Sequence, residues 1–135
     1  MYQQMIFVNL AVRDLEASKA FFEGLGFRND PRFSDETAAS VVISDTIVAM
    51  LLTHEKYGQF TKKEIVDATR SSEVLLALSA ESRAKVDEMV ERAVAGGGSV
   101  AGETQDLGFM YGRAFDDLDG HTWEVVWMDP AAVEG

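Results

Sequence analysis

The sequence predicts an α+β protein made of two similar modules, and three features of the chain lead to this prediction. A strand, a helix and further strands follow one another in the first half, and the same order starts again near residue 73. Each half spans roughly 65 residues, a repeat length that describes a whole fold. Neither half has enough helix to cover both faces of its strands. We therefore expect a curved mixed sheet with a concave site and outer helices.

The first half begins with a strand and a capped helix. Residues 5–12, MIFVNLAV, are typical of a strand. Asp14 stands where a helix N-cap is expected, with Ala17 three positions further on. A carboxylate at the N-cap accepts a backbone N–H of the first helical turn. The apolar residues after Asp14 have helical spacing, and Gly24 and Gly26 predict the end of the helix.

Two further strands and a long connection complete the first half. Residues 38–43 and 46–52 predict two strands that are joined at Ser44-Asp45. The polar residues after them predict a connecting loop at about 55–72, with a short helix around Lys62–Asp67. Module 1 is therefore expected at about residues 1–60.

The second half, module 2, is expected at about residues 73–130 and repeats this order. Residues 73–80 predict a strand, and residues 81–98 predict a helix that ends in glycines. One face of this helix carries four apolar residues: Val86, Met89, Val90 and Ala93. Residues 109–128 predict two strands around Asp119-Gly120. A type I′ turn is expected there, with positive φ at both central residues.

Composition excludes several classes of protein. The chain has 135 residues, and 23 acidic against 12 basic side chains give a net charge of -11. This charge repels nucleic acid and anionic membranes, so we expect neither as a partner. The absence of cysteine excludes disulfides, zinc–thiolate sites and thiol nucleophiles. No apolar run is long enough for a membrane span, and no signal peptide is recognised. We expect a cytoplasmic enzyme or binding protein whose partner is a small molecule.

Two segments resemble the vicinal oxygen chelate superfamily. They are VNLAVRDLEASKAFFEGLGF at 8–27 and YGRAFDDLDGHTWEVVWM at 111–128. The superfamily includes glyoxalase I, bleomycin-resistance proteins and extradiol dioxygenases, and the similarity is to its glyoxalase-like subgroup. The resemblance covers nearly the whole chain. It implies a single domain over 1–135, paired βαβββ modules, a homodimer, and a small-molecule site in the cup of the sheet.

The resemblance also implies four quasi-equivalent positions at which metal-dependent members carry ligands. In this chain we assign these positions to Phe7, Ala49, Leu75 and Glu124. The position of Ala49 is counted four residues on from the turn at Asp45, as Glu124 is from its own turn. A divalent transition metal needs about three or four nitrogen, oxygen or sulfur ligands from the protein. Only Glu124 supplies one. A divalent metal is an alternative that Phe7, Ala49 and Leu75 argue against, so we assign no metal ligands and expect no cofactor.

Two polar residues are candidates for substrate binding. Asn9 and Glu73 share the strand parity of Phe7 and Leu75, so they are expected to face the cup at other depths. Together with Glu124 they would supply oxygens, which suit a hard cation better than a transition metal.

Three further residues have a functional interpretation and a structural alternative. His54 ends a strand, where it is a candidate general base or only a solvated strand end. Tyr111 and Arg113 share one strand face. They offer a hydrogen-bond donor and a fixed cation to a carboxylate or phenolate ligand. The alternative for Arg113 is an ion pair with an acid of this acidic protein.

Glu124 is the main catalytic candidate because it is a lone acid among Trp123, Val125 and Val126. It would act as a general base, or it would only pair with a neighbour. His121 lies three residues earlier on the same strand, so the two side chains face opposite sides and His121 is expected only to flank the turn.

Two functions follow from these interpretations. The first is a glyoxalase-like lyase or isomerase, related to lactoylglutathione lyase, with an incomplete set of metal ligands. The second is a metal-free protein of the bleomycin-resistance kind that binds and sequesters a small molecule.

Overall fold

The computed structural model describes residues 1–133, so the last two residues of the expected domain lie outside it. The chain forms two compact units, Met1–Val66 and Asp67–Gly135. These units contain the two expected modules, and we keep the names module 1 and module 2 for them. Each unit combines one long helix with a four-stranded mixed sheet. The predicted α+β fold of two βαβββ modules is therefore confirmed.

Module 1 contains four strands, two helices and one 3-10 turn. In chain order they are β1 Ile6–Val12, α1 Leu15–Gly24, β2 Arg28–Asp30, the 3-10 turn Pro31–Phe33, β3 Ala38–Val42, β4 Ile47–Thr53 and α2 His54–Tyr57. The strand order across the sheet is β1-β4-β3-β2. Strands β1 and β4 are parallel, whereas the other neighbours are antiparallel.

Local chemistry explains why helix α1 begins and ends where predicted. The Asp14 side chain accepts a hydrogen bond from the backbone N–H of Ala17 at 3.1 Å, which confirms it as the N-cap. The chain leaves the helix through Gly26, whose φ of 102° favours glycine. The buried face of α1 includes Phe21 and Phe22, whose rings meet edge to face at a centroid distance of 5.1 Å.

Two elements of module 1 differ from the sequence prediction. The short helix expected around Lys62–Asp67 is wrong, because these residues have no helical conformation. The short helix is α2, directly after β4, and Thr53 caps it by accepting the backbone N–H of Lys56 at 3.1 Å. Strand β2 was not identified from the residues, since three residues are too few to show an alternating pattern.

Module 2 repeats the connectivity of module 1. Its elements are β5 Leu75–Ser79, α3 Arg83–Ala95, β6 Ser99–Asp106, β7 Met110–Asp116, β8 Thr122–Met128 and α4 Pro130–Val133. The strand order is β5-β8-β7-β6, with β5 and β8 parallel. Ser82 caps α3 by accepting the backbone N–H of Lys85 at 3.1 Å. No helix in the described part of the chain is long and apolar enough to cross a membrane.

The core of module 2 lies between α3 and one face of its sheet. The fully buried side chains are Val86, Val90, Ala93, Phe115, Trp123 and Val125. Met89, predicted on the same helix face, is only half-buried. Trp123 also donates its indole N–H to Asp117 at 3.0 Å, so this large ring leaves no buried donor unpaired.

The turn between β7 and β8 is not the predicted type I′ turn. Within this turn only Gly120 has a positive φ, at 90°, and no non-glycine residue within 1–133 has one. The Asp117 carboxylate shapes the turn, because it accepts the backbone N–H groups of Asp119 and His121, each at 3.0 Å. An aspartate side chain that accepts a backbone N–H two residues further on forms an Asx-turn. This turn does not require a positive φ at Asp119, which a type I′ turn would.

Gly120 is expected to be the glycine that module 2 tolerates least when replaced. A Cβ built on it lies 2.7 Å from the backbone nitrogen of Thr69 and 2.8 Å from the backbone of Ala68. Gly120→Ala therefore combines a strained φ with a backbone clash, and we expect a loss of more than about 2 kcal/mol in urea unfolding.

Two other glycines separate the causes of this loss. Gly102 has a φ of 64°, and a Cβ built on it has nothing within 4 Å, so Gly102→Ala measures the φ strain alone, about 1 kcal/mol. Gly24 has open space and no positive φ, so Gly24→Ala should change stability by at most about 1 kcal/mol, in the stabilising direction. Equal losses for Gly120→Ala and Gly102→Ala would contradict the clash.

Candidate functional site

In each module one face of the sheet packs against the long helix, and the other, which we call the open face, lines a cavity. In module 1 the residues that point to the buried face include Ala39, Val41, Ala49 and Leu51. Helix α1 packs against β2, β3 and β4 on this side. Helix α2 packs against β1 and β4 at one end of the opposite face, where Ala11 and Leu52 are buried.

The strand register arranges the open face of module 1 in two rows. Side chains that are directly opposite on neighbouring strands share a face. The first row, from β1 to β2, is Phe7, Val48, Val42 and Arg28. The second row is Asn9, Met50, Ser40 and Asp30. The first row is thus apolar with a cation at its end, and the second contains three polar residues.

These rows form the floor of a cavity of about 720 Å³. Met5, Phe33 and Asp45 also line it. A cavity of this size falls within the usual range for small-molecule sites, about 300–1,000 Å³, which are mostly apolar with few polar groups. The open face of module 1 therefore has the size and composition of a small-molecule site.

Asp30 and Arg32 form a fixed ion pair at one edge of this cavity. The Asp30 carboxylate, only 4% exposed, accepts hydrogen bonds from Nε, Nη2 and the backbone N–H of Arg32 at 3.1, 2.9 and 3.0 Å. These bonds lower the pKa of Asp30 to about 2, against the effect of burial. The Asp30 carboxylate and the Arg32 guanidinium therefore hold each other in place.

The open face of module 2 carries different chemistry. Its rows are Leu75, Thr122, Asp116 and Ser99, then Ala77, Glu124, Ala114 and Ala101, then Ser79, Val126, Gly112 and Gln105. A cavity of about 390 Å³ is lined by the β6, β7 and β8 residues of the last two rows, and Glu103 also lines it. Glu124 is half-buried there and makes no hydrogen bond or salt bridge within residues 1–133. Its carboxylate is available to a ligand.

The register corrects one of the four assigned ligand positions. Glu124 pairs with Ala77, five residues before the N-cap Ser82. The equivalent pair in module 1 is Met50 with Asn9, five residues before the N-cap Asp14. The assignment of Ala49 is therefore wrong, since Ala49 is 0% exposed and points to the buried face. Counting from Asp45 started one residue too early, and a shift of one residue reverses the face.

The corrected set does not fit a transition metal. The positions are Phe7, Met50, Leu75 and Glu124, which offer one carboxylate and one thioether. A Zn²⁺, Ni²⁺, Fe²⁺ or Mn²⁺ ion needs about three or four protein donors. Among the residues described, no group of three or more His, Cys, Asp and Glu side chains is placed to hold a metal ion. We therefore derive no step of chemistry through a metal.

The remaining candidates lie in different places. Asn9 lines the cavity of module 1. His54 is exposed at the start of α2 and is not among the residues that line this cavity. Glu73 precedes β5, with its Oε1 3.9 Å from His121 Nε2, and lies outside the rows of the open face. The structure does not bring Asn9, His54 and Glu73 together within either module, and their catalytic or binding roles stay predictions.

Tyr111 and Arg113 are bonded to helix α3. Tyr111 Oη donates to Asp87 Oδ1 at 2.7 Å, and Arg113 Nη1 donates to the same oxygen at 3.0 Å. The hydrogen bond between Tyr111 and Asp87 lowers the pKa of Asp87 and raises the pKa of Tyr111. Arg113 borders the cavity of module 2, but its guanidinium pairs with an acid, the alternative that the sequence left open.

Sequence reasoning missed Arg28 and Ser40, which the structure places on the open face of module 1. Arg28 lies on the three-residue strand β2, which was not identified, so its face was unknown. Ser40 lies in the predicted strand 38–43, where every residue is small or apolar. The alternation that separates two faces was therefore hidden.

His121 flanks the β7–β8 turn, as predicted, and is 4% exposed. Its Nδ1 lies 3.3 Å from Asp117 Oδ2. Burial alone would lower the pKa of His121, but the Asp117 carboxylate beside Nδ1 and the charges of Asp119 and Glu73 together raise it above the ordinary 6.5. Protonation of His121 is therefore easier in the folded protein than in the unfolded chain.

This environment predicts a pH-dependent contribution to stability. A raised pKa in the folded state stabilises the fold fully below about pH 6.5, and the contribution is lost as pH rises through the folded pKa. The free energy of unfolding lost in His121→Gln should therefore be larger at about pH 5.5 than at about pH 8.5. Urea unfolding at both values measures it, with the exposed His54→Gln as control. An equal loss at both pH values would contradict the stabilising charge.

Solved structures share this architecture over almost the whole chain. The hypothetical protein SA1046 from S. aureus is 29% identical, with a TM-score of 0.77 over 94% of this chain and 95% of that one. A glyoxalase-related enzyme from Fulvimarina pelagi is 23% identical, with a TM-score of 0.77 over 93% and 88%. The fosfomycin resistance protein FosX from Mesorhizobium loti is 18% identical, with a TM-score of 0.71 over 100% of both chains. The last two likenesses show the fold alone.

No protein of curated function matches the sequence. The model of the Glyoxalase/Bleomycin resistance protein/Dioxygenase superfamily, in contrast, matches residues 4–125. This match covers module 1 and module 2 as far as the middle of β8, and it confirms the resemblance carried by the segments 8–27 and 111–128. The chain therefore belongs to the Glyoxalase/Bleomycin resistance protein/Dioxygenase superfamily.

Proposed function

We propose that this protein binds and sequesters a small, largely apolar molecule without a metal, in the manner of a bleomycin-resistance protein. The observation that supports this most directly is the cavity of about 720 Å³ over the apolar row of module 1. An apolar wall of this kind releases about 25 cal/mol per Å² of apolar surface that a ligand buries.

The side chains around this cavity suit binding better than proton transfer. A general base needs a pKa near the working pH, and the lining contains no histidine, cysteine, tyrosine or lysine. Of its two carboxylates, Asp30 has a pKa of about 2 and is bonded to Arg32. The other, Asp45, lies in the turn between β3 and β4. No side chain over the floor of the cavity is therefore a suitable proton acceptor.

A second candidate function is a glyoxalase-like lyase or isomerase that uses Glu124. One observation favours it: the Glu124 carboxylate is half-buried in the cavity of module 2 and has no hydrogen-bond or ion-pair partner within residues 1–133. A carboxylate in this position is free to accept a proton from a bound substrate. This candidate needs no metal, and a catalytic role for His54 is a separate proposal within it.

The homodimer that the family resemblance implies is part of the proposal. Apolar side chains near the β6–β7 turn of module 2 support it, because Leu107, Phe109 and Met128 are each exposed by 45% or more. Exposed apolar side chains that lie close together are typical of protein interfaces. Analytical ultracentrifugation of wild type and of Phe109→Ser measures the association directly.

Binding on module 1 predicts opposite results for two neighbouring residues of β1. Phe7 lines the cavity, whereas Ile6 points to the other face, and their exposures are nearly equal at 56% and 55%. Phe7→Ala should weaken binding of the neutral fluorophore N-phenyl-1-naphthylamine by about tenfold, from the lost apolar contact. Ile6→Ala should not. Fluorescence titration with and without EDTA measures both effects.

EDTA should leave these affinities unchanged, because no step of the proposed binding uses a metal. Loss of binding after EDTA, restored by one equivalent of a divalent metal, would contradict the proposal. An equal effect of Phe7→Ala and Ile6→Ala would show that the fluorophore binds elsewhere.

The second candidate function predicts the result of Glu124→Gln. Glutamine keeps the size of the side chain but accepts no proton, so any lactoylglutathione-lyase activity of the protein should fall by at least about 100-fold. Glu103→Gln is the matched control, since it changes another carboxylate of the same cavity. Stability should change by less than about 0.5 kcal/mol, because Glu124 has no described partner to lose. A large loss of stability with unchanged activity would make Glu124 a structural residue.

A further inference from the structure

We infer that the ligand of module 1 is an amphipathic anion. It has an aromatic or alicyclic body that lies on the apolar row and one anionic group that the Arg28 guanidinium binds. This inference rests on the proposed binding function and names the chemical class of the ligand. It follows from the position of Arg28, from the partners of the neighbouring charges and from a comparison of the two open faces.

Arg28 lies at the end of an uninterrupted apolar row. Phe7, Val48 and Val42 precede it on β1, β4 and β3, and all four residues line the same cavity. Neighbouring strands lie about 4.8 Å apart, so the row spans about 14 Å. A ligand of two rings with one charged substituent has this length, and its charge would then lie at β2.

Arg28 is the cation of this cavity that is available to a ligand. The Arg32 guanidinium is held by two hydrogen bonds to Asp30. Arg28 is exposed and makes no hydrogen bond or salt bridge within the residues that the structure describes. A guanidinium presents a planar fork of donors that matches a carboxylate or sulfonate, and such charged hydrogen bonds are among the strongest in proteins.

The acidic residues that line the cavity leave Arg28 available to an anionic ligand. Asp30 is bonded to Arg32, and the charge of Arg28 also lowers the pKa of Asp30 without a hydrogen bond between the two. Asp45 lies in the β3–β4 turn and lines the cavity. Asn9 and Ser40 are neutral residues of the second row, so they offer hydrogen bonds without changing the charge. Within the two rows of the cavity floor, Arg28 is thus the charged residue without a hydrogen bond or salt bridge among the described residues, in a chain whose net charge is -11.

Module 2 has no such feature at the equivalent position. The residue that corresponds to Arg28 is Ser99, and the row that contains it carries Asp116 where module 1 has Val42. Glu124 stands where module 1 has Met50. Like charges repel an anion, so the recognition of an anionic group is assigned to module 1.

Two fluorophores that differ only by a sulfonate test this assignment. N-phenyl-1-naphthylamine is neutral, and 8-anilinonaphthalene-1-sulfonate is its sulfonated analogue. In Arg28→Gln the dissociation constant of the sulfonate should rise by at least about tenfold, which is the effect of losing a hydrogen bond between charged groups. The constant of the neutral compound should change by less than about twofold.

Three variants serve as controls for this measurement. Lys19→Gln removes one positive charge from α1, on the buried side of the same sheet, and should affect neither compound. Arg28→Lys keeps the charge without the fork and should lose less affinity than Arg28→Gln. Asp45→Asn should strengthen binding of the sulfonate alone. The urea midpoint of each variant confirms that the fold is unchanged.

The possible failures are distinguishable. If wild type binds neither compound, both the proposed function and the assignment to Arg28 are overturned. The second failure is that Phe7→Ala weakens binding of the neutral compound, while Arg28→Gln leaves the dissociation constant of the sulfonate unchanged. Binding on module 1 then stands, and the anion assignment is overturned. The same assignment is overturned if Arg28→Gln weakens both compounds equally.

Discussion

The parallel pairing between the first and last strand of each module determines the chemistry of both sheets. Met50 lies beside Asn9, and Glu124 lies beside Ala77. Because side chains alternate between the two faces with a period of two, a shift of one residue in a strand would move the open-face residues of that strand to the buried face. Helices α1 and α3 fill the buried faces with large apolar side chains, so a shift would also place polar residues against them. The core therefore fixes the register, and the register fixes the composition of the cavities.

Several carboxylates of this acidic chain serve the structure rather than a ligand. Asp30 holds Arg32, Asp87 holds Tyr111 and Arg113, and Asp117 holds the β7–β8 turn and the Trp123 indole. A carboxylate accepts several hydrogen bonds at once, which explains how one side chain ties two elements together. Only acids without such partners, Glu124 above all, are candidates for chemistry. Helices α1 and α3 pack on the buried faces, so the open faces of the two modules differ in composition while the modules share one topology.

The sequence by itself determined the elements whose signals are local. The Asp14 cap, the helical spacing after it and the repeat of the whole pattern in the second half required no tertiary information, and the family resemblance followed from motifs in both halves. Local signals failed where a residue depends on its neighbours in space. The Asp119-Gly120 dipeptide indicated a turn, but the Asp117 carboxylate decided its type.

The tertiary structure alone decided which side chains meet. Counting along the chain placed Ala49 on the open face, whereas pairing with β1 places Met50 there, since register is a relation between strands distant in sequence. Arg28 lies on a three-residue strand with no recognisable pattern, and only the pairing of this strand with β3 shows which face Arg28 occupies. Arg113 had two equally good interpretations, and Asp87, on a helix 26 residues earlier, decided between them. A sequence shows which chemical groups a protein contains. Their partners are decided by the tertiary structure, because contacts between residues distant in sequence form only when the chain folds.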